Sequence, residues 1–292
     1  MIYTLSSHEL SISVREKGAE LCSIISLSSQ IEYLWQGDSS IWAGQAPVLF
    51  PIIGALKDGF TIYTDNEYLI PKHGLVRNSE QVKLLEATTD SLRFGMSWDT
   101  ETLKKYPFKF ELEILFKLEG KTITINHLIR NQGQEQMLYS VGGHPAFNCP
   151  LREGEKYEEY ELKFAEREND STWLIDQEGL VSGEQKPILN DTKILGLHKN
   201  LFDQDALIFK NLRSREVTLQ HQKKGGIISV EFSDFDYLGI WAKPNAPFVC
   251  IEPWLGIADS ANSNQKLKEK EGILVVSPGQ LDKKSYAITV LE

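Results

Sequence analysis

The sequence predicts an all-β fold of antiparallel strands, a β-sandwich formed as one domain over residues 1–292. Three observations predict it. From Phe108 to Leu118, apolar residues (Phe108, Phe110, Leu112, Ile114, Phe116, Leu118) alternate with Lys109, Glu111, Glu113 and Lys117, and only Leu115 breaks the pattern. A period of two places one face on a core and the other in water. Short runs of the same kind recur along the whole chain between Gly, Asp, Asn and Pro turn signals. No βαβ rhythm, exact repeat, Gly-rich phosphate loop or interdomain linker accompanies them, so a layered α/β architecture has no support.

Taken in order, the elements are these. Leu10, Ile12 and Val14 alternate with Ser11, Ser13 and Arg15, and Gly18-Ala19-Glu20 turns that strand into Leu21–Ile25. Glu32–Trp35 reads as a further short strand, ended by Gly37-Asp38. Ala46–Gly54 is apolar but holds Pro47 and Pro51, which rules out a helix interior or an ordinary inner strand. Thr61–Tyr63 and Glu67–Ile70 flank Asp65-Asn66 as a hairpin whose second arm delivers His73. Residues 82–98 suggest two strands, and Asp99 is an N-cap for one short helix over 99–106. Thr122–Ile129 follows the Phe108–Leu118 strand through Glu119-Gly120, and its His127 shares parity with Ile123, Ile125 and Ile129. Such a histidine is expected in the core rather than in a site. Residues 151–200 are polar, with Glu-rich strands and turns, and Val217–His221 with Ile227–Phe232 forms a hairpin. Tyr237–Trp241 and Phe248–Glu252 form another, and a polar loop over 256–272 precedes strands at 273–276 and 285–291.

Bulk properties narrow the function. With 31 Lys and Arg against 41 Asp and Glu, the net charge is −10, and no basic run offers a footprint for nucleic acid. Lys57, Lys72 and Arg77 are the basic residues near the motifs described next, and they suit a small anion. No apolar segment approaches the length of a membrane span, and the first residues lack the basic start and apolar core of a secretory signal. Cys22, Cys149 and Cys250 are widely spaced and odd in number. They suit a reducing cytoplasm and form no metal-knuckle pattern, so a cytoplasmic protein is expected.

Three stretches stand apart from this scaffold. Tyr139–Phe147 ends a strand with Gly142, Gly143, His144 and Pro145, which constrains the backbone presenting the imidazole. The glycines serve either a positive φ or a close approach to the backbone. Pro71–Arg77 carries His73 before Gly74, with Arg77 four residues on. Phe248–Trp254 places Glu252 inside an apolar run, on the face of Phe248, Cys250 and Trp254. A carboxylate there must find partners or line a wet cleft, and a tryptophan beside it suits the apolar face of a sugar ring. Two histidines near pKa 6.5 suit proton transfer at neutral pH. They also suit metal binding, but H-x-H, H-E-x-x-H and C-x-x-C spacings are absent, so no metal is expected. Cys149, five residues after His144, is more simply a small buried residue than a nucleophile.

In order, His73-Gly74 with Arg77, Gly142–Phe147, and Cys250–Trp254 resemble the motifs of the aldose 1-epimerase (galactose mutarotase) superfamily, and of its LacX-like branch in particular. The resemblance extends over nearly the whole chain. It implies a β-supersandwich of stacked antiparallel sheets, an open sugar cleft and no cofactor. It also implies His144 as general acid, Glu252 as general base, and His73 as a substrate-binding histidine. An aspartate contacts sugar hydroxyls in that family, and Asp205 is the match, with Asp203 two residues away. Arg77 and Trp254 complete the expected sugar-binding set. Relatives commonly carry arginine where this chain has Ala55; either Lys57 replaces the charge or the substrate differs. The implied activity interconverts the α and β anomers of a hexose or hexose phosphate by acid/base ring opening and closure. In this reading Glu252 raises the imidazole pKa of His144. The alternatives are a non-catalytic carbohydrate-binding β-sandwich and a metal-dependent sugar isomerase.

Overall fold

The computed structural model describes residues 1–292 and consists of antiparallel strands with one short α-helix, Thr100–Leu103. The helix starts where a capping residue was expected: the Asp99 carboxylate accepts the Thr102 N–H, and the Thr102 hydroxyl accepts the Asp99 N–H.

One 15-stranded sheet dominates. Its ladder runs from Val48–Leu49 through Val141–Gly143, Phe248–Leu255, Tyr237–Trp241, Leu207–Phe209 and Tyr160–Ile175. It continues through Glu216–His221, Gly225–Glu231, Leu281–Val290, Thr122–Asn131, Phe110–Glu119 and Ser91–Ser97 to Lys83–Ala87. Phe110–Glu119 keeps the alternation legible in its sequence: Phe110, Leu112, Ile114, Phe116 and Leu118 are buried, and the residues between them are not. Its neighbours Ser91–Ser97 and Thr122–Asn131 bury the same face, and the apolar core extends from Leu5 to Val290. Three N-terminal strands, Ile2–Ser6, Leu10–Arg15 and Glu20–Ser26, form a separate sheet over part of that core.

One sequence expectation changes. Glu32–Trp35 makes isolated bridges rather than a strand. The Glu32 carboxylate accepts the N–H groups of Ile24 and Leu34, replacing ladder bonds with side-chain ones. The polar section, in turn, contains the two longest strands, Tyr160–Ile175 and Val181–Gly196, which pair as a hairpin with several bulges. The Asp176–Gly179 turn at its end forms part of the cleft wall described below.

His127 is buried as its parity predicts, stacked on Tyr286 and edge-on to Phe235. Neither ring nitrogen finds a side-chain partner, and burial lowers its pKa to about 4. It remains a neutral core residue.

Candidate active site

The pairing of three strands creates the centre of the site. Val141–Gly143 and Ala146–Asn148 both pair with Phe248–Leu255, and in one register: Val141 faces Leu255, Gly142 faces Trp254, Ala146 faces Cys250 and Phe147 faces Val249. Continued across the break at His144-Pro145, that register sets His144 opposite Glu252. Their side chains meet, with Nε2 of His144 3.2 Å from Oε2 of Glu252. The two glycines before His144 have no positive φ; they allow close approach. A Cβ on Gly142 would lie 2.7 Å from the Pro253 carbonyl oxygen, and one on Gly143 would lie 2.4 Å from the Tyr286 hydroxyl.

Every residue of Phe248–Leu255 is buried, and Glu252 retains only 1% exposure. Val249, Ile251 and Leu255 join the main core, whereas Trp254 packs with Leu49, Ile53 and Ile208 beneath a cleft of about 870 Å³. His144 lies on the face of Trp42, with ring centroids 5.0 Å apart, and meets Trp241 and His73 edge-on. The cleft is lined by His73, Arg77, His144, Asp205, Glu252 and Trp254, all six residues expected from the sequence.

His73 is held by a reciprocal pair of bonds with Gly54. Its backbone N–H donates to the Gly54 carbonyl at 2.9 Å, and the Gly54 N–H donates to its Nδ1 at 3.2 Å. A neutral His73 therefore carries its proton on Nε2 and can act as a donor. Its backbone is left-handed (φ 68°), an uncommon conformation for a non-glycine residue that clusters at functional sites. Gly74 follows at φ +85°, where a Cβ would stand 2.0 Å from the Phe50 carbonyl oxygen. Only glycine fits there.

The electrostatics differ from those expected. Burial lowers the pKa of His144 to about 3, and the charges of Arg77 and Lys72 act in the same direction. Burial raises Glu252 well above the usual carboxylate range. Trp254, whose indole N–H makes no full hydrogen bond, and the charges of Lys72 and Arg77 oppose this, and Asp205 reinforces it. Glu252 therefore does not lift the imidazole pKa: a protonated carboxyl supplies no charge to stabilise an imidazolium. Burial also lowers His73 well below the ordinary histidine value, helped by His144, Lys72 and Arg77. Both shifts favour a neutral imidazole beside a protonated carboxyl in the free protein, with Nε2 and Oε2 3.2 Å apart but not aligned as a hydrogen bond. Nδ1 of His144, Oε2 of Glu252 and Nε1 of Trp254 are buried without hydrogen-bond partners. In a cleft, such atoms are the ones a polar ligand satisfies.

Sequence reasoning missed two contributors. Trp42 and Trp241 enclose His144, and no local signal marks either of them. Cys250 shares the face of Glu252, two residues away; with His144 and Glu252 it places potential metal-ligand atoms within 4.8 Å of one another. Burial and Glu252 push the Cys250 pKa well up, so its thiol stays protonated in the free protein. Cys149 is buried on the following segment, outside the cleft lining. Lys57 and Lys72, grouped by the sequence as basic residues near the motifs, part company in the fold. Lys57 does not supply the charge missing at Ala55, because its Nζ donates to the Ser263 carbonyl and it lies off the cleft. Lys72 reaches that place: a Cβ added at Gly179 would be 3.5 Å from Lys72 Nζ and 3.6 Å from the Ala55 Cβ. Asp203 and Asp205 both line the cleft, but Asp205 is the one whose charge acts on Glu252.

Comparisons with known proteins agree with this arrangement. The family model described as "Aldose 1-epimerase" matches residues 1–285. The plasmid-encoded protein LacX of Lactococcus lactis subsp. lactis is 38% identical, with all of both chains covered. A galactose mutarotase related enzyme from Lactobacillus acidophilus superposes with a TM-score of 0.94 at 31% identity, covering 100% of this chain and 98% of that one. A galactose mutarotase-like protein from Lactobacillus casei gives 0.92 at 26% identity, with both chains fully covered. The match runs through the strands that bring His144 opposite Glu252 and on almost to the last residue, and the chain belongs to the aldose 1-epimerase family.

Proposed function

We propose that this protein interconverts the α and β anomers of an aldohexose, with His144 and Glu252 as the acid/base pair. One observation carries the reading: a buried imidazole and a buried carboxyl stand 3.2 Å apart at the floor of an open cleft. Reaction starts from the tautomer with the proton on His144. Glu252 takes the proton from O1 of the sugar and His144 gives its own to the ring oxygen. The C1–O5 bond breaks as a carbonyl forms at C1. Rotation about C1–C2 turns the other carbonyl face towards the ring oxygen, and closure runs both transfers in reverse. Each positioned acid or base is typically worth about 10²–10⁴ in rate. The neutral Nε2–H of His73 donates to a sugar oxygen, Arg77 and Asp205 bind polar substituents, and Trp254 lies under the ring.

The test follows a freshly dissolved pure anomer by NMR with and without the protein. Exchange well above the buffer rate supports catalysis. Saturable sugar binding with no added exchange would make the protein a carbohydrate-binding module instead. Loss of exchange in EDTA, restored by a metal ion, would replace the acid/base pair with a metal site.

A further inference from the structure

We propose that Trp254 is a positioning residue for the reaction, donating its indole N–H to Glu252 when that carboxyl is ionised; this rests on the acid/base reading above. Three polar atoms at the dyad are buried without partners: Nδ1 of His144, Oε2 of Glu252 and Nε1 of Trp254. The last two are an acceptor and a donor on one strand, two residues apart and on one face. An indole nitrogen can only donate and a carboxylate can only accept, so each is the partner the other lacks. Trp254 is 5% exposed, so most of its ring contacts protein, and its Nε1 is buried from solvent. The ring is wedged across the two neighbouring strands. A Cβ on Gly142 would lie 2.9 Å from Trp254 Cδ1, and one on Gly239 would lie 2.4 Å from its Cζ2 and Cη2. Both positions need glycine for the indole to lie against the sheet with its N–H beside Glu252.

The bond discriminates between protonation states. In the resting dyad Glu252 is protonated, and the indole stands near it without alignment. Ring opening starts from the other tautomer, with the proton on His144 and a negative charge on Glu252. That charge is the stronger acceptor, and a charge-assisted bond to it is about twice as strong as a neutral one. The N–H therefore lowers the energy of the productive tautomer and has little effect on the resting one. Other groups face the same carboxyl. Asp205 opposes its ionisation, Lys72 and Arg77 favour it from the cleft wall, Cys250 is a neutral thiol, and His144 is the proton's other seat. All of these stay in place when the indole N–H alone is removed.

The experiment replaces Trp254 by β-(3-benzothienyl)alanine, in which sulfur takes the place of the N–H at nearly constant shape, and separately makes Trp254→Phe. The kcat, KM and pH profile of anomer exchange are compared with those of the intact chain. Loss of the N–H should lower kcat about tenfold, leave KM within about twofold, and move the basic limb up by about one pH unit. The two effects are linked, because one pH unit in the carboxyl is a tenfold change in the tautomer ratio. Trp254→Phe should show the same limb and, with its smaller ring, a raised KM as well. An unchanged kcat or an unmoved basic limb in the isostere overturns the proposal. A raised KM at unchanged kcat would make Trp254 a sugar platform only. Should the intact protein turn over no aldohexose, it is the acid/base reading that fails, and carboxyl carbon-13 NMR then decides the bond, with Glu252→Gln assigning the signal. A Glu252 titration displaced upwards by about one pH unit in the isostere upholds the bond, and equal titration in the two proteins overturns it.

Discussion

At the scale of single residues, the behaviour of the site follows from burying two titratable groups together. Glu252→Gln keeps the shape of the carboxyl and removes its capacity to take and give a proton, so the rate should fall about 10²–10⁴-fold while thermal unfolding and sugar affinity stay close to those of the parent. His144→Asn should do the same; a variant that loses stability but keeps its specific activity would return His144 to the core. The pH dependence follows from the direction of the shifts. With His144 lowered to about 3 and Glu252 raised, the one-proton dyad survives over a window wider than ordinary pKa values of about 4.3 and 6.5 would allow. As pH falls towards 3, a second proton enters His144 and the base is lost. As pH rises through the elevated pKa of Glu252, the last proton leaves and the acid is lost. The kcat/KM profile should therefore be a broad bell whose basic limb lies well above the usual carboxylate range. A bell confined between about 4.3 and 6.5 would show the dyad to be solvated.

At the scale of elements, strand ends hold the chemistry. His144 stands where one strand breaks and resumes in register, so the partner strand aims Glu252 at it without any loop having to be ordered. His73 depends on a turn instead. It is clamped to Gly54, and the next residue must be glycine because its Cβ would enter the Phe50 carbonyl. Gly74→Ala should cost about 3 kcal/mol or more in urea unfolding, since it combines a left-handed φ with a backbone clash. What remains folded should show KM raised more than kcat lowered, because the displaced group is the one that positions substrate. Unchanged stability would mean that this turn relaxes without strain.

At the scale of the whole molecule, the cleft is assembled from segments far apart in the chain. Asp259 shows how they are tied: its N–H donates to the Ala55 carbonyl, its carbonyl accepts the Val181 N–H, and its carboxylate accepts the Lys57 N–H and pairs with Lys270. Both side chains of that pair are 3% exposed. Lys270→Met should destabilise the protein by about 3–5 kcal/mol by leaving a buried charge alone, and adding Asp259→Asn should recover part of the loss. Additive effects in chemical denaturation would show that the two do not act as a pair. Much of this molecule is legible from its residues alone. The period of two from Phe110 to Leu118 determines a half-buried strand because side-chain direction alternates locally. The motifs around His73, His144 and Glu252 are local too, and each appears in the cleft. Non-local facts had to wait for the fold. Nothing near Trp42 in sequence says that it covers His144, and nothing in 151–200 says that a polar hairpin forms a wall. Lys72 and Lys57 look equivalent until one is seen beside Ala55 and the other bonded to Ser263. The pKa values were misjudged for the same reason: an isolated sequence fixes the type of each ionisable group, but the direction of its shift depends on burial and on charges brought from other strands.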